Sequence, residues 1–392
     1  MRTPKGYSLV SHGDMIVDPS RSLGYLPALS RAVHPGSKVL DLGAGTGYFA
    51  MVACQLGAEC AYAIEPGKII EIASQFAKAN NLADRIVFVK DISTQVTLPE
   101  PVDIIVSDLR GVLPLYEQHI PSIVDARRRH LQPGGLMIPQ QDTIWAALLE
   151  DPTLYQPYAR PWLDDIGLDL SAGHKFVVNS WCKANAKSEQ LLVRAKKWAT
   201  LDYRTIYHPN ISGELTWTAE REGTAHGMLV WFDAELSNDI GYSNAPGQPE
   251  LIYGQAFFPF EKPVGIIPGD HIEIALNANF VNGDYVWQWD TQVVSAAKGN
   301  IKANFRQSTF YVEPISSAAL KRRKADFVPD LTLEAEINLF CLSLVNGARS
   351  LEEISKHLAE RFPQSFSGWQ NALPYVADCL ERYAENNSFY KG

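Results

Sequence analysis

Two acidic residues, Asp108 and Glu117, stand nine positions apart in Ser-Asp-Leu-Arg-Gly-Val-Leu-Pro-Leu-Tyr-Glu-Gln, directly after the apolar run Val-Asp-Ile-Ile-Val. Two carboxylates facing one cavity repel, and without compensation one of them takes up a proton. A planar guanidinium compensates both, because its N–H groups match carboxylates in pairs. The spacing therefore points to a pocket for a cation of arginine type, provided residues 109–116 fold back as a tight loop. The plainer alternative has Asp108 capping the following helix and Glu117 facing solvent.

A second cluster precedes it. Gly43, Gly45 and Gly47 lie in Val-Leu-Asp-Leu-Gly-Ala-Gly-Thr-Gly, between an apolar run and an amphipathic one. Glycines at such a junction let the backbone approach a ligand closely and let the helix pack on the sheet. The pattern is GxGxG rather than the dinucleotide GxGxxG, and Asp41 sits two residues before its first glycine. A nearby carboxylate serves a pyrophosphate poorly and a cationic ligand well. Glu65, at the end of the next apolar run, can accept both hydroxyls of a ribose. Asp91 and Ile92, after the third, can meet an adenine amino group and ring nitrogen.

The elements that must position these residues follow from periodicity. From Lys38 to about Ile138, apolar strands (Lys-Val-Leu-Asp-Leu, Cys-Ala-Tyr-Ala-Ile-Glu, Arg-Ile-Val-Phe-Val, Val-Asp-Ile-Ile-Val, Gly-Gly-Leu-Met-Ile) alternate with helices predicted over 46–57, 67–80 and about 117–131. Continuous apolar strands separated by helices imply a parallel sheet covered on both faces, an α/β doubly wound domain. After Pro139 short runs rich in Val, Ile, Phe, Tyr and Trp recur between Gly, Asn and Pro, which predicts an antiparallel β domain, a sandwich or a barrel. A more polar stretch, 152–190, interrupts it as an arm. From about 327 helices return: Ser350 caps Leu-Glu-Glu-Ile-Ser-Lys-His-Leu-Ala-Glu-Arg-Phe with Glu353 three residues on, and Leu351, Ile354, Leu358 and Phe362 share one face. The expected domains are 1–139, 140–318 with its arm at about 152–190, and a small helical domain at 327–392. The run Ser-Ser-Ala-Ala-Leu-Lys-Arg-Arg-Lys-Ala-Asp reads as a solvated linker before the last of these.

Bulk properties narrow the function. The chain has 392 residues, 46% of them hydrophobic, enough for a large core in two or three domains. A net charge of -9 and the lack of a long basic stripe argue against a nucleic-acid groove. No apolar run approaches the roughly 18 residues needed to span a bilayer, and the first residues lack the apolar core of a signal peptide, so the expected compartment is the cytoplasm. The five cysteines, Cys54, Cys60, Cys182, Cys341 and Cys379, form no CxxC pair, so neither a disulfide framework nor a metal site is expected.

The order strand-GxGxG, strand-Glu, strand-Asp resembles the class I S-adenosylmethionine methyltransferases. That resemblance implies S-adenosyl-L-methionine as cofactor, S-adenosyl-L-homocysteine as product, and a fourth strand whose end, Asp108, lies beside the methyl group to be transferred. Upstream, His-Gly-Asp-Met-Ile-Val-Asp-Pro-Ser-Arg-Ser-Leu-Gly-Tyr supplies His12, Met15, Asp18, Arg21 and Tyr25 in the spacing HxxMxxDxxRxxxY. With the acid loop matching SExxGxxxxYE through Ser107, Gly111, Tyr116 and Glu117, and with the strand runs at 226–236 and 254–274, the chain resembles the protein arginine N-methyltransferases over roughly residues 7–300.

The family resemblance implies that Arg21 pairs with the carboxylate of the cofactor's methionine moiety and that His12 and Met15 line the same site. It also implies that the β domain is a barrel and that the arm forms a head-to-tail homodimer. Asp108 and Glu117 then hold the guanidinium of arginine, in a protein, a peptide or as the free amino acid.

Departures stand beside the matches. Asp108 is one methylene shorter than the family's glutamate. Leu109 and Arg110 replace its Trp-Met, so Arg110 offers a second cation that could hold a substrate carboxylate, with Tyr116 as a further substrate contact. Leu251-Ile252-Tyr253 replaces Thr-His-Trp and removes the histidine that would pair with Asp18. Thr94 stands where the family holds adenine with a glutamate, leaving that role to Asp91 or the backbone. Six residues before Tyr7 are too few for the family's N-terminal helix. These departures leave two other readings open: a methyltransferase of another small acceptor, and an idle cofactor-binding subunit.

Overall fold

The protein is described by a computed structural model covering residues 7–314, 316–383 and 389–390. The described residues divide into a unit formed by 7–314 with 389–390 and a second unit of 316–383.

The first unit opens with helices α1 (Leu9–Val17) and α2 (Pro19–Ala32). Asp18 separates them: its side chain accepts the Arg21 amide as N-cap, and Pro19 occupies the first helical position, where its missing N–H costs nothing. The parallel sheet and its crossovers follow as β1 (Lys38–Leu42), α3 (Tyr48–Gln55), β2 (Cys60–Ile64), α4 (Ile69–Ala79), β3 (Ile86–Val89), β4 (Val102–Ser107), α5 (His119–His130) and β5 (Leu131–Ile138). Strand order is β3-β2-β1-β4-β5, and a two-residue strand, Phe389–Tyr390, pairs antiparallel to β3. β1, β2 and β4 are buried almost throughout, as expected of apolar strands covered on both faces.

Order reverses between β1 and β4, and ligands bind beyond the carboxyl ends of strands at such a switch point. Register fixes what lies there. Leu42 pairs with Ile64 and with Ser107, and Ile64 pairs with Val89, so Gly43, Glu65, Lys90 and Asp108 emerge along one edge.

The rest of the unit is mostly antiparallel: β6 (Gln141–Leu149), α6 (Pro152–Ala159), α7 (Ser171–Val177), β7 (Cys182–Ala184), β8 (Lys196–Asp202), β9 (Ile211–Thr218), β10 (Gly223–Ser237), β11 (Ile240–Ser243), β12 (Gln255–Ile266), β13 (His271–Val281), β14 (Asp284–Val294) and β15 (Ile301–Ser308). The strands pair into two sheets, β7-β12-β10-β6-β8 with β11 on β10, and β15-β14-β13-β9. β13 and β14 alternate strictly, burying Ile272, Ile274, Leu276, Trp287, Trp289 and Val293 on one face. The ring of Phe258, on β12, lies 5.2 Å from both Trp287 and Trp289, so aromatic packing joins the sheets, and each such ring contributes roughly 1.5–3 kcal/mol on burial.

The α/β and antiparallel parts meet at α2. A Cβ on Gly24 would fall 2.8 Å from Leu236 Cδ1 and 3.0 Å from Tyr242 Cδ1, so the absent side chain is what lets α2 lie on β10 and β11. Gly24→Ala would force that contact apart, and with it Arg21, about one turn before, and Tyr25, the next residue.

The second unit holds α8 (Ser317–Lys321), α9 (Leu333–Ser343), α10 (Leu351–Arg361) and α11 (Trp369–Tyr383). α8 lies in the run read as linker, where Ala-Ala-Leu-Lys has strong helix propensity. The Ser350–Glu353 capping box forms in both directions. Ile354, Leu358 and Phe362 pack with Ile337, Cys341, Ala372, Val376 and Cys379, whereas Leu351, expected on that face, is 43% exposed because it is the first residue of the helix.

Candidate active site

The glycine loop is built as a close-contact cradle. Gly43, Gly45 and Gly47 all have positive φ, which only glycine adopts without strain. A Cβ on Gly43 would lie 2.1 Å from Leu109 Cδ2, and one on Gly45 would lie 2.7 Å from His12 Cε1. Residues from α1, from the loop after β1 and from the loop after β4 thus converge within one side-chain thickness. Asp41 is buried, accepts the Ala50 amide at 2.9 Å and steadies the first turn of α3. Burial pushes its carboxyl up to about 7, opposed by that amide and by Arg21.

Glu65 accepts the amides of Gly67 at 2.7 Å and Gly45 at 3.2 Å. Burial raises its pKa and these two bonds restrain the rise. Asp91 accepts the Ile92 amide at 2.7 Å, and Ile92 is 38% exposed at the same edge of the sheet.

Arg21 is almost wholly buried. Its Nε donates to Asp108 Oδ2 at 2.6 Å and its Nη1 to the Met15 carbonyl at 2.9 Å, while the guanidinium lies 4.9 Å from the Phe49 ring centre. Its Nη2 has no hydrogen-bond partner among the described residues. Burial and the Arg21 charge both lower the His12 pKa, keeping that ring neutral.

Asp108 accepts three donors: Arg21 Nε and the Tyr253 hydroxyl on Oδ2, each at 2.6 Å, and Arg110 Nη1 on Oδ1 at 3.1 Å. Burial pushes its pKa up, but the two arginines and the Tyr253 bond outweigh burial and hold it below the usual carboxylate range. Glu117, half-buried, has φ 39°, a left-handed conformation that a glutamate adopts only at a cost of about 1 kcal/mol or more. Both carboxylates act on the Tyr7 hydroxyl, whose pKa is raised first by burial, then by Asp108 and by Glu117, and which also bonds to Tyr116. Tyr7 therefore has both acids and Tyr116 in its surroundings. Gly111 leaves room for the Tyr116 ring, 2.8 Å from where its Cβ would stand.

Arg110 has a different partner from the substrate carboxylate expected of it. Its side chain is fully buried, with Nε and Nη2 donating to Asp142 at 2.7 and 2.8 Å and Nη1 shared among Tyr25, Asp108 and Tyr242. Asp142, at the start of β6, accepts the Tyr203 hydroxyl as well. A cation this enclosed persists because the chain itself supplies its counter-charge. Asp18, without the family's histidine, accepts the Ile252 amide on Oδ2 at 2.8 Å. Sequence reading missed Tyr253, Tyr242, Asp142 and Tyr203 as members of this network. Asp142 and Tyr242 lie 32 and 132 positions from Arg110, Tyr203 lies 61 from Asp142 and Tyr253 lies 145 from Asp108, with no local motif.

The parallel sheet, the glycine cradle after β1 and the acid Glu65 directly after β2 define a class I S-adenosylmethionine-dependent methyltransferase. Comparison with known proteins carries this further. Residues 140–296 match the arginine methyltransferase oligomerization subdomain, and residues 23–150 match the ribosomal protein L11 methyltransferase model. Protein arginine N-methyltransferase 1 of Schizosaccharomyces pombe is 30% identical over 285 residues, covering 70% of this chain and 83% of that protein. Protein arginine N-methyltransferase 6 of Xenopus tropicalis is 28% identical over 294 residues, covering 70% and 86%. Among solved structures, protein arginine methyltransferase 10 of Arabidopsis thaliana superposes with a TM-score of 0.68 at 22% identity, over 78% of this chain and 98% of that one. The Trypanosoma brucei PRMT1 enzyme–prozyme complex with AdoHcy gives 0.69 at 21%, over 76% and 96%. The chain belongs to the protein arginine N-methyltransferase family.

The residues present fit the family's cofactor. Arg21 offers an amino group for a carboxylate, Glu65 offers acceptors for ribose hydroxyls, and the cradle at Gly43 and Gly45 admits backbone approach. Among the described residues no group of three or more His, Cys, Asp or Glu side chains could hold a metal ion, and no helix is long and apolar enough to cross a membrane.

Proposed function

We propose that this enzyme moves a methyl group to a guanidino nitrogen of arginine, carried by a protein or peptide or as the free amino acid, with Asp108 and Glu117 holding the acceptor. The observation that carries this reading is that Asp108, held by Arg21, and Glu117 both lie near enough to the Tyr7 hydroxyl to raise its pKa.

S-adenosyl-L-methionine supplies the electrophilic methyl on its sulfonium. In this reading His12, Met15 and Arg21 bind its methionine end, with Asp41 and the glycines of residues 43, 45 and 47 beneath it. Glu65 takes the ribose, and Asp91 and Ile92 face the adenine. Guanidinium is a poor nucleophile because its lone pairs are delocalised and its pKa is about 12.5 or more. Two carboxylates that draw its charge onto two nitrogens leave the third better able to attack. Transfer forms a nitrogen–carbon bond, breaks the sulfur–carbon bond and releases one proton. Asp108, ion-paired with two arginines, is a poor acceptor for it. Glu117, half-exposed on its turn, takes the proton and passes it to water.

We further propose a head-to-tail homodimer. Leu163, Ile166 and Leu168 of the arm are 53–70% exposed, as is Leu23 of α2 at 74%, and apolar surfaces of this kind suit burial between copies. The five cysteines are free thiols, which suits a reducing compartment such as the cytoplasm. Incubation with methyl-labelled cofactor and with free arginine, arginine-bearing peptides or protein extract tests the acceptor. Label on arginine in any arm supports the reading and identifies the carrier, whereas label on no guanidino group overturns it.

A further inference from the structure

Tyr253 stands in the segment between β11 and β12, in the antiparallel part of the unit and 145 positions from the acid it touches. Its hydroxyl lies 2.6 Å from Asp108 Oδ2 and 3.1 Å from the Tyr242 hydroxyl, and the two phenol rings stack with planes 6° apart. The Tyr242 hydroxyl lies in turn 3.3 Å from Arg110 Nη1.

Counting protons orders this chain. Each phenol has one hydrogen to give. Asp108, ionised between two arginines, only accepts, so the Tyr253 proton points at it. Tyr242 must then donate to Tyr253, and Arg110, which only donates, completes the series from Arg110 through Tyr242 and Tyr253 to Asp108.

The same count applies to the carboxylate. Oδ2 takes Arg21 and Tyr253 and has its two lone pairs filled, whereas Oδ1 takes only Arg110 and keeps one. Rotation of the carboxylate would exchange the two oxygens, and Tyr253, held by stacking and by Tyr242, opposes that rotation from the side of the β domain.

We propose that Tyr253 is a positioning residue for methyl transfer: it pins Asp108 so that one lone pair of Oδ1 is presented to the acceptor guanidinium. This rests on the acid-pair reading of the preceding section. Tyr253 itself touches neither cofactor nor acceptor in this scheme and acts only through Asp108.

The test is Tyr253→Phe, with Tyr242→Phe as a variant one step further along. Tyr253→Phe is expected to lower kcat about tenfold or more, because the acceptor loses its aimed carboxylate, while leaving S-adenosyl-L-homocysteine affinity within about twofold. Tyr242→Phe should give a smaller loss of the same kind. A second readout is independent of turnover: the carboxyl carbon resonance of Asp108, assigned by its loss in Asp108→Asn, should titrate at higher pH in Tyr253→Phe than in the wild type. If kcat stays within twofold and the titration does not move, the proposal is overturned. It is also overturned if Tyr253→Phe loses cofactor affinity in step with kcat, which marks a structural role. If the wild type methylates no guanidino acceptor, the functional reading fails, and the Asp108 titration still decides whether Tyr253 holds the carboxylate.

Discussion

The two ends of one short loop carry carboxylates in opposite physical states. At the strand end, Asp108 is buried, accepts three donors and is kept ionised by two arginines. At the far end, Glu117 is half-buried, sits on a left-handed backbone and has a tyrosine hydroxyl as its neighbour. Residue type alone would make the two interchangeable. Their surroundings differ, one acid being a buried, ion-paired charge and the other a half-exposed group on a turn, and the proposed reaction divides the work between them on that basis. Environments that separate two carboxylates in this way are how active sites assign distinct roles to like groups.

The largest effect is expected at the fixed end. Asp108→Asn should reduce turnover by about a hundredfold or more and also lower stability by roughly 3 kcal/mol, since Arg21 and Arg110 lose a shared buried counter-charge. The sign with pH follows from the depressed pKa of Asp108. Its contribution is complete above the ordinary carboxylate value of 3.8 and is lost as pH falls through the lower folded value, so the gap between wild type and variant should be level at neutral pH and close only in acid. Denaturant unfolding across pH measures this, and a variant as stable as the wild type would erase the distinction between the two acids.

Glu117→Gln is expected to reduce turnover by a similar factor, about a hundredfold, while stability stays within about 0.5 kcal/mol and cofactor-product affinity is unchanged. Loss of stability here would mean that Glu117 is also a structural charge. Arg21→Lys comes next. A lysine ammonium cannot reach Asp108, the Met15 carbonyl and a cofactor carboxylate from one planar fork, so product affinity should weaken about tenfold by calorimetry. Unchanged affinity would show that Arg21 serves Asp108 alone.

Much of this site was legible in the sequence because its signals are local. The GxGxG turn, the acid at the end of β2 and the helix carrying Arg21 each reveal themselves within about a dozen residues, through period and spacing. The antiparallel strands were legible too, since burial alternates along β13 and β14, but their division into two sheets depends on pairing partners far along the chain. Arg110 shows where such reading stops. As a sequence neighbour of the acids it looks like a cation offered to substrate. Only folding brings Asp142, Tyr203 and Tyr242 around it and turns it inward. Tyr253 was visible only as the residue standing at the tryptophan position of the family's Thr-His-Trp.

The smallest predicted effect separates the two ends most finely. Tyr116 is the hydroxyl neighbour of Glu117, and burial and that carboxylate raise its pKa, so it remains a neutral donor at any working pH. Asp108 keeps two cationic donors if Tyr253 is removed, yet Tyr253 fixes its direction. Glu117, which takes the proton in the proposed reaction, gains less from being pinned. Tyr116→Phe removes the hydroxyl that bonds to Glu117 and Tyr7 and should cost about fivefold in kcat/KM, about 1 kcal/mol, with stability unchanged. If it instead costs as much as Tyr253→Phe in kcat, Glu117 is held as rigidly as Asp108, and the proton must leave by another route than the movement of that side chain.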